Sequence, residues 1–210
     1  MADIKNTSLF FLGTLLMFLT TIKAQKIEIP KGWVEITTDK HQILLHIKYA
    51  TKDNFTSTRL YPCGRCFLRE EVAKALLEVQ HALQQKGYGL LLYDCYRPLT
   101  IQYKMWNIRP DPHYVANPAK GSMHNRGQAV DLTIVDSEGC PLDMGTPYDF
   151  FGKKAHWAYS ALPAPIQNHR QMLLRIMKKY GFHPIRTEWW HFSIKHLDNS
   201  HLYSWEWDCK

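Results

Sequence analysis

What this chain lacks narrows it before any motif is read. It has no run of five or more lysines or arginines and no interleaving of basic with aromatic residues. Its formal charge of +7 therefore reads as a solvated basic face with some attraction for anionic substrates, and no nucleic-acid partner is expected. There is no internal repeat and no low-complexity segment, which excludes solenoids and arrays. The apolar stretch within residues 8–21 is about a dozen residues, short of the ~20 that span a bilayer comfortably. No cysteine follows that stretch directly, which disfavours a lipid-anchored protein. The cysteines are Cys63, Cys66, Cys95, Cys140 and Cys209, and no second Cys pair or CxxH lies at a useful distance from Cys63-Gly64-Arg65-Cys66. That spacing therefore has no support as a structural zinc site. An odd number leaves at least one thiol free. A Cys63 to Cys66 bridge in an oxidising compartment and two free thiols both stay open.

What is present begins with a leader. Lys5 precedes the apolar run from Ser8 to Thr21, and Ile22-Lys23-Ala24 follows with a small residue at its end. This is a signal-peptide layout, and the expected outcome is export, to the periplasm or outside the cell, with residues 1–24 removed. Asp3 and Ile22 depart from the usual pattern, so an uncleaved membrane anchor through residues 8–21 is the alternative. After cleavage no stable membrane partner is expected. Residues 25–210 then form one domain, and with 45% of the chain hydrophobic that length builds a full core of its own.

Between Leu68 and Lys86 the apolar residues Val72, Leu76, Val79 and Leu83 recur at three- and four-residue steps, with Gly87 as a stop signal, which predicts an amphipathic helix. Gly89 to Tyr96 is a short apolar run of strand length, with Arg97 at its mouth. Pro98 opens a second helix over Leu99 to Trp106. Gln128 to Val135 reads as a strand, Pro165 to Tyr180 as a last helix stopped by Gly181, and Thr187 to Ile194 as β-rich. Peripheral strands are expected within Trp33 to Tyr49. Helices and strands in mixed order predict an α+β domain.

Ligand-type residues concentrate in two stretches, Ser122-Met123-His124-Asn125-Arg126-Gly127-Gln128-Ala129-Val130-Asp131 and Glu188-Trp189-Trp190-His191. A catalytic zinc takes three protein ligands from His, Asp and Glu and leaves a fourth position to water. His124, Asp131 and His191 supply such a set, with a carboxylate that lowers the site's net charge. Glu188, three residues before His191, suits a general base that takes a proton from the attacking water and returns one to the leaving nitrogen. A regular strand points residues 188 and 191 to opposite faces, so this role requires a local irregularity. Arg97 is placed to stabilise a developing oxyanion, and Ser122 to donate to a substrate carboxylate. Taken singly, each of these side chains also has an ordinary structural reading, and composition and spacing leave metal binding undecided.

These same residues resemble the D-alanyl-D-alanine dipeptidases, zinc enzymes of vancomycin resistance and D-alanine salvage. The family pattern SxHxxGxAVD is met by Ser122, His124, Gly127, Ala129, Val130 and Asp131, ExWH by Glu188, Trp190 and His191, and YRP by Tyr96, Arg97 and Pro98. The likeness continues through Met144-Gly145-Thr146-Pro147-Tyr148-Asp149-Phe150-Phe151 and covers roughly Ile29 to Ile194. It implies one Zn2+ per chain on His124, Asp131 and His191, Glu188 as base, Arg97 as the transition-state arginine, and Asp149 as receiver of the substrate's amino group. It also implies a small central, mainly antiparallel sheet flanked by helices, as in hedgehog signalling domains, and a confined cavity for free D-Ala-D-Ala. The CxxC at Cys63 and the Trp-rich tail from Trp205 to Lys210 lie outside the pattern.

An enzyme outside the inner membrane would act in cell-wall peptide turnover or D-alanine salvage. Two rivals remain at this stage. A D,D-carboxypeptidase of the same zinc group would trim peptidoglycan stem peptides, and only the cavity separates it from a dipeptidase; the bulky Met144 to Phe151 segment favours the closed site of the latter. A hedgehog-like module with purely structural zinc has no need of Glu188 and Arg97 together.

Overall fold

The computed structural model describes residues 29–195, 197 and 201–209. The expected leader at 1–24 lies outside the described residues. The order of elements is β1 (Trp33–Ile36), α1 (Thr38–His41), β2 (Leu44–Leu45), β3 (Cys66–Arg69), α2 (Glu70–Gln84), β4 (Gly89–Asp94), α3 (Leu99–Ile108), β5 (Ala129–Val135), α4 (Ala164–Lys179), β6 (His183–Ile185) and β7 (Glu188–Ser193). Five strands form one sheet in the order β2-β4-β5-β7-β6, and β1 pairs with β3 in a second, two-stranded sheet. Among the described residues only the β2–β4 pair is parallel, and the other pairings are antiparallel. The α+β reading with a mainly antiparallel sheet is borne out.

Position in the sheet explains the patterns. All of β5 is buried, because it is the central strand with neighbours on both edges, and its apolar run reflects burial on both faces. In α2, Val72, Ala73, Leu76, Val79 and Leu83 form the buried stripe. Gln80 is buried among them and ties helix to sheet: its Nε2 donates to the Gln42 carbonyl at 2.6 Å and its Oε1 accepts from the Leu90 amide at 2.9 Å. The helix starts two residues later than the periodicity suggests, since Leu68 is buried within β3. The expected peripheral strands between residues 33 and 49 prove to be the short β1 and β2, separated by the one-turn α1.

The cysteines correct one expectation. Cys63 bonds to Cys209 and Cys66 to Cys95, while Cys140 is free and exposed. No Cys63 to Cys66 bridge forms because the two side chains have different surroundings. Cys66 enters β3 with its side chain in the core beside the end of β4, whereas Cys63 sits in the preceding turn, where the C-terminal tail passes. That tail is an aromatic strap. Trp205 stacks on Tyr96 with ring centroids 4.5 Å apart and meets Trp33 and Phe67 edge-on, and Trp207 packs on Tyr61 and Phe67.

Candidate active site

Three adjacent strands deliver the site. Asp94 at the end of β4 is paired with Asp131 on β5, and Asp131 with His191 on β7. Directly opposed residues on antiparallel strands present their side chains to the same face, so the sheet register itself sets Asp131 beside His191. His124 arrives from the loop before β5, in a single 3-10 turn (His124–Arg126) closed by Gly127 at φ +66°. Glycine is required there twice over: the backbone is left-handed, and a Cβ would lie 2.3 Å from the Trp33 ring.

The three expected ligands converge. His191 Nδ1 lies 3.0 Å and His124 Nε2 3.3 Å from Asp131 Oδ1, and the two ring nitrogens are 3.2 Å apart. All three residues are buried. The other nitrogen of His124, Nδ1, is 2.7 Å from the Cys95 carbonyl. A carbonyl only accepts, so Nδ1 is the donor there, which leaves Nε2 as the nitrogen that faces the other two and can take a metal in place of a proton. Tyr148 donates to the second oxygen of Asp131 at 2.9 Å. The donor set thus fits a tetrahedral metal with one open position, with partners behind two of its three ligands. Burial pushes the Asp131 carboxyl up, but His124 and His191 outweigh it and hold the group well below the usual carboxylate range.

A cavity of about 460 Å³ opens over this triangle, and Glu188, Arg97, Ser122 and Asp149 are all in its lining. Glu188 reaches it through a strand irregularity, as expected of a residue that shares a face with His191. Along β6, Pro184 pairs with Phe192 but its neighbour Ile185 pairs with Glu188, so residues 189–191 bulge and residues 188 and 191 reach the same cavity. Burial, reinforced by the charges of Asp131 and Asp149, raises the Glu188 carboxyl well above its ordinary value. Arg97 is buried and clamped: Nη2 and Nε donate to Asp94 Oδ2 at 2.7 and 3.1 Å, and Nη1 donates to Gln102 Oε1 at 2.9 Å. The Tyr49 ring lies 5.2 Å from its guanidinium carbon. Asp149, at φ +59°, accepts from Tyr49 Oη at 3.2 Å and from the Phe55 amide at 3.4 Å. Its carboxyl is pushed up to about 7 by burial and by the charge of Asp131. Ser122 sits at the rim, its Oγ within 3.4 Å of the Asn125 amide.

Every residue expected from sequence is therefore brought to one cavity. Tyr148, Asp94, Gln102 and Tyr49 were not expected to take part. Asp94 lies three residues before Arg97 and Tyr148 directly before Asp149, and that adjacency was the only signal; Gln102 and Tyr49 had none. One wall is aromatic: Tyr114 stacks on Phe151 with centroids 4.5 Å apart, and Phe55 meets Phe151 at 5.1 Å.

A buried His, Asp, His set beneath a cavity that also presents a carboxylate and a clamped arginine is the layout of a mononuclear metallohydrolase. The comparison with known proteins narrows this class. The D-ala-D-ala dipeptidase family model matches residues 31–204, and the chain belongs to that family. A D-alanyl-D-alanine dipeptidase of Escherichia coli (strain K12) is 36% identical over 165 residues, 79% of this chain and 86% of that protein. One from Enterococcus faecium is 31% identical over 176 residues, covering 74% of this chain and 87% of that protein. Among solved structures, VanYB in complex with D-alanine-D-alanine is 15% identical over 61% of this chain and 72% of that one, at a TM-score of 0.43, a likeness too slight to argue from.

Proposed function

We propose that the chain is a zinc dipeptidase that hydrolyses D-alanyl-D-alanine to two D-alanines, with His124, Asp131 and His191 holding one Zn2+. The observation that carries this reading is the buried triangle of those three side chains, opening on the cavity that Glu188 and Arg97 share. When bound, zinc supplies a Lewis acid that polarises the scissile carbonyl and brings an attacking water toward a pKa of ~7. Glu188 takes the proton of that water and delivers one to the leaving nitrogen. Arg97, immobilised by Asp94 and Gln102, meets the negative charge that grows on the carbonyl oxygen, and because it is already oriented it stabilises that charge without reorganising. Asp149 receives the substrate's ammonium group, whose charge favours the ionised carboxylate, and Ser122 donates to the substrate carboxylate at the rim. The aromatic wall of Phe55, Tyr114 and Phe151 supports a short substrate, as does a cavity near the lower end of the ~300–1,000 Å³ common for small-molecule sites.

Export, with residues 1–24 removed, belongs to the same proposal, and the two disulfides support it, since such bonds persist in oxidising compartments. The work of the enzyme is then turnover or salvage of dipeptide released from the cell wall, and fractionation that finds the protein wholly in the cytoplasm removes this part. The catalytic reading is tested with purified protein from residue 25 onward, incubated with D-Ala-D-Ala and with a stem pentapeptide ending in D-Ala-D-Ala, each with chelator and with zinc. Chelator-sensitive cleavage of the dipeptide alone is the expected result. Comparable trimming of the pentapeptide makes the chain a D,D-carboxypeptidase, and zinc binding without hydrolysis makes it a binding module.

A further inference from the structure

The proton on His124 is placed by an atom that belongs to neither the triangle nor the cavity lining, the carbonyl of Cys95 at 2.7 Å from Nδ1. Cys95 stands just past the end of β4, whose ladder to β5 already shifts register between Leu92 and Asp94. The sheet therefore does not fix the direction of that carbonyl. The side chain of the same residue is anchored instead, through its bond to Cys66, the first residue of β3. Both cysteines are essentially inaccessible. One residue on, the Tyr96 amide donates to the Phe67 carbonyl at 2.9 Å, so β3 grips residues 95 and 96 twice, once covalently. The gripped segment then meets the His124 loop directly: the Arg97 amide donates to the His124 carbonyl at 3.2 Å, and Asn125 Nδ2 donates to the Arg97 carbonyl at 2.8 Å.

We propose that the Cys66–Cys95 disulfide is a positioning element of the metal centre: it fixes the Cys95 carbonyl, which holds the His124 ring through Nδ1 with Nε2 turned toward Asp131 and His191. The inference rests on the metallopeptidase reading above. The bridge acts on a hydrogen-bond partner of a ligand rather than on the ligand, and loss of such partners typically costs 10–100-fold in metal affinity. The chain carries its own control. Cys63–Cys209 spans a separation of 146 residues, joins a partly buried turn to the exposed end of the tail, and has no part in the lining of the cavity over the triangle. Removing it weakens the fold through the lost cross-link and leaves the Cys95 carbonyl in place.

The experiment compares the full chain with Cys66→Ala/Cys95→Ala and with Cys63→Ala/Cys209→Ala. Zinc affinity is read by competition with a chelating dye, the hydrogen bond at His124 Nδ1 by the chemical shift and solvent exchange of its ring proton in proton–nitrogen NMR, and hydrolysis of D-Ala-D-Ala with kcat and KM separated. The Cys66/Cys95 variant is expected to bind zinc roughly 10–100-fold more weakly, to lose the exchange-protected Nδ1 proton of His124, and to fall in kcat with KM little changed. The Cys63/Cys209 variant is expected to keep wild-type zinc affinity and the protected proton while unfolding at a lower temperature. Equal loss of zinc affinity in both variants, or wild-type affinity and a protected Nδ1 proton in the Cys66/Cys95 variant, overturns the proposal. If the alanine pair does not fold, Cys66→Val/Cys95→Ala restores the lost volume and carries the same test. A wild-type protein that neither binds zinc nor hydrolyses dipeptide refutes the functional reading by itself, and the protection of the Nδ1 proton still decides whether the bridge positions the ring.

Discussion

Asp94→Asn isolates the charge that holds Arg97. Asp94 is fully buried and accepts three hydrogen bonds, two from Arg97 onto Oδ2 and one from Tyr61 at 2.8 Å onto Oδ1. Asparagine has the same shape: its oxygen still faces Arg97 and its amide faces Tyr61, whose hydroxyl turns to accept. What disappears is the negative charge. Two unit charges ~4 Å apart at an effective dielectric of ~20 attract by about 4 kcal/mol, and stranding one member of a buried pair costs about 3–5 kcal/mol. For a chain of this size each 1 kcal/mol moves the melting temperature by roughly 2–4 °C, so a fall of roughly 6–20 °C is expected by calorimetry. Activity on D-Ala-D-Ala should drop mainly in kcat, because Arg97 loses its fixed orientation. Arg97→Met/Asp94→Asn decides whether the effect runs through Arg97. If it does, the double variant is little worse than Arg97→Met in activity and less destabilised than the sum of the single changes. A single variant within 1 °C of wild type, or additive losses in the double, refutes the reasoning.

Glu188→Gln removes the proposed proton carrier but none of the converging ligands, so kcat should fall by ~10²–10⁴ with zinc stoichiometry unchanged by atomic absorption; retained activity dismisses Glu188 as base. Tyr148→Phe deletes the donor to Asp131 and should weaken zinc binding by ~10–100-fold, measured by chelator competition. In metal-free protein the folded state keeps a proton on Asp149 up to about pH 7, whereas the unfolded chain loses it near pH 4. The folded state therefore binds more protons across that window, and stability falls as pH rises through it, by at most ~1.4 kcal/mol per pH unit for this group. Asp149→Asn should flatten the slope in urea titrations between pH 4 and 7, and an unchanged slope rules the group out. Gly127→Ala should be severely destabilising, since the new methyl meets the Trp33 ring at 2.3 Å on a left-handed backbone; a melting temperature close to wild type contradicts that packing.

Much of this molecule was legible because its signals are local. The stripe of α2, the apolar run of β5 and the proline opening α3 depend on neighbours a few residues away, and the structure places those elements within a residue or two of the sequence reading. The expected ligands and base also stood out, because His, Asp and Glu cluster in two short stretches, though composition and spacing left metal binding undecided and Asp149 came only from the family resemblance. The partners behind them did not stand out. Tyr148 reaches Asp131 from a loop whose resemblance to the family gave it no role, and Tyr49 reaches Asp149 across 100 positions.

By itself, then, the sequence determined the main helices, the central strands, the fold class and the ligand-type groups, since backbone propensity, apolar period and side-chain type are all properties of short segments. Tertiary structure decided how those groups act. Cross-strand register set Asp131 beside His191, and three bulged residues in β7 let Glu188 share their cavity. Burial at the end of β4 chose Cys95 rather than Cys63 as the partner of Cys66, and the same burial among carboxylates raised Asp149 and Glu188. Each of these depends on distance and solvent exclusion between segments far apart in the chain, which exist only once the chain has packed.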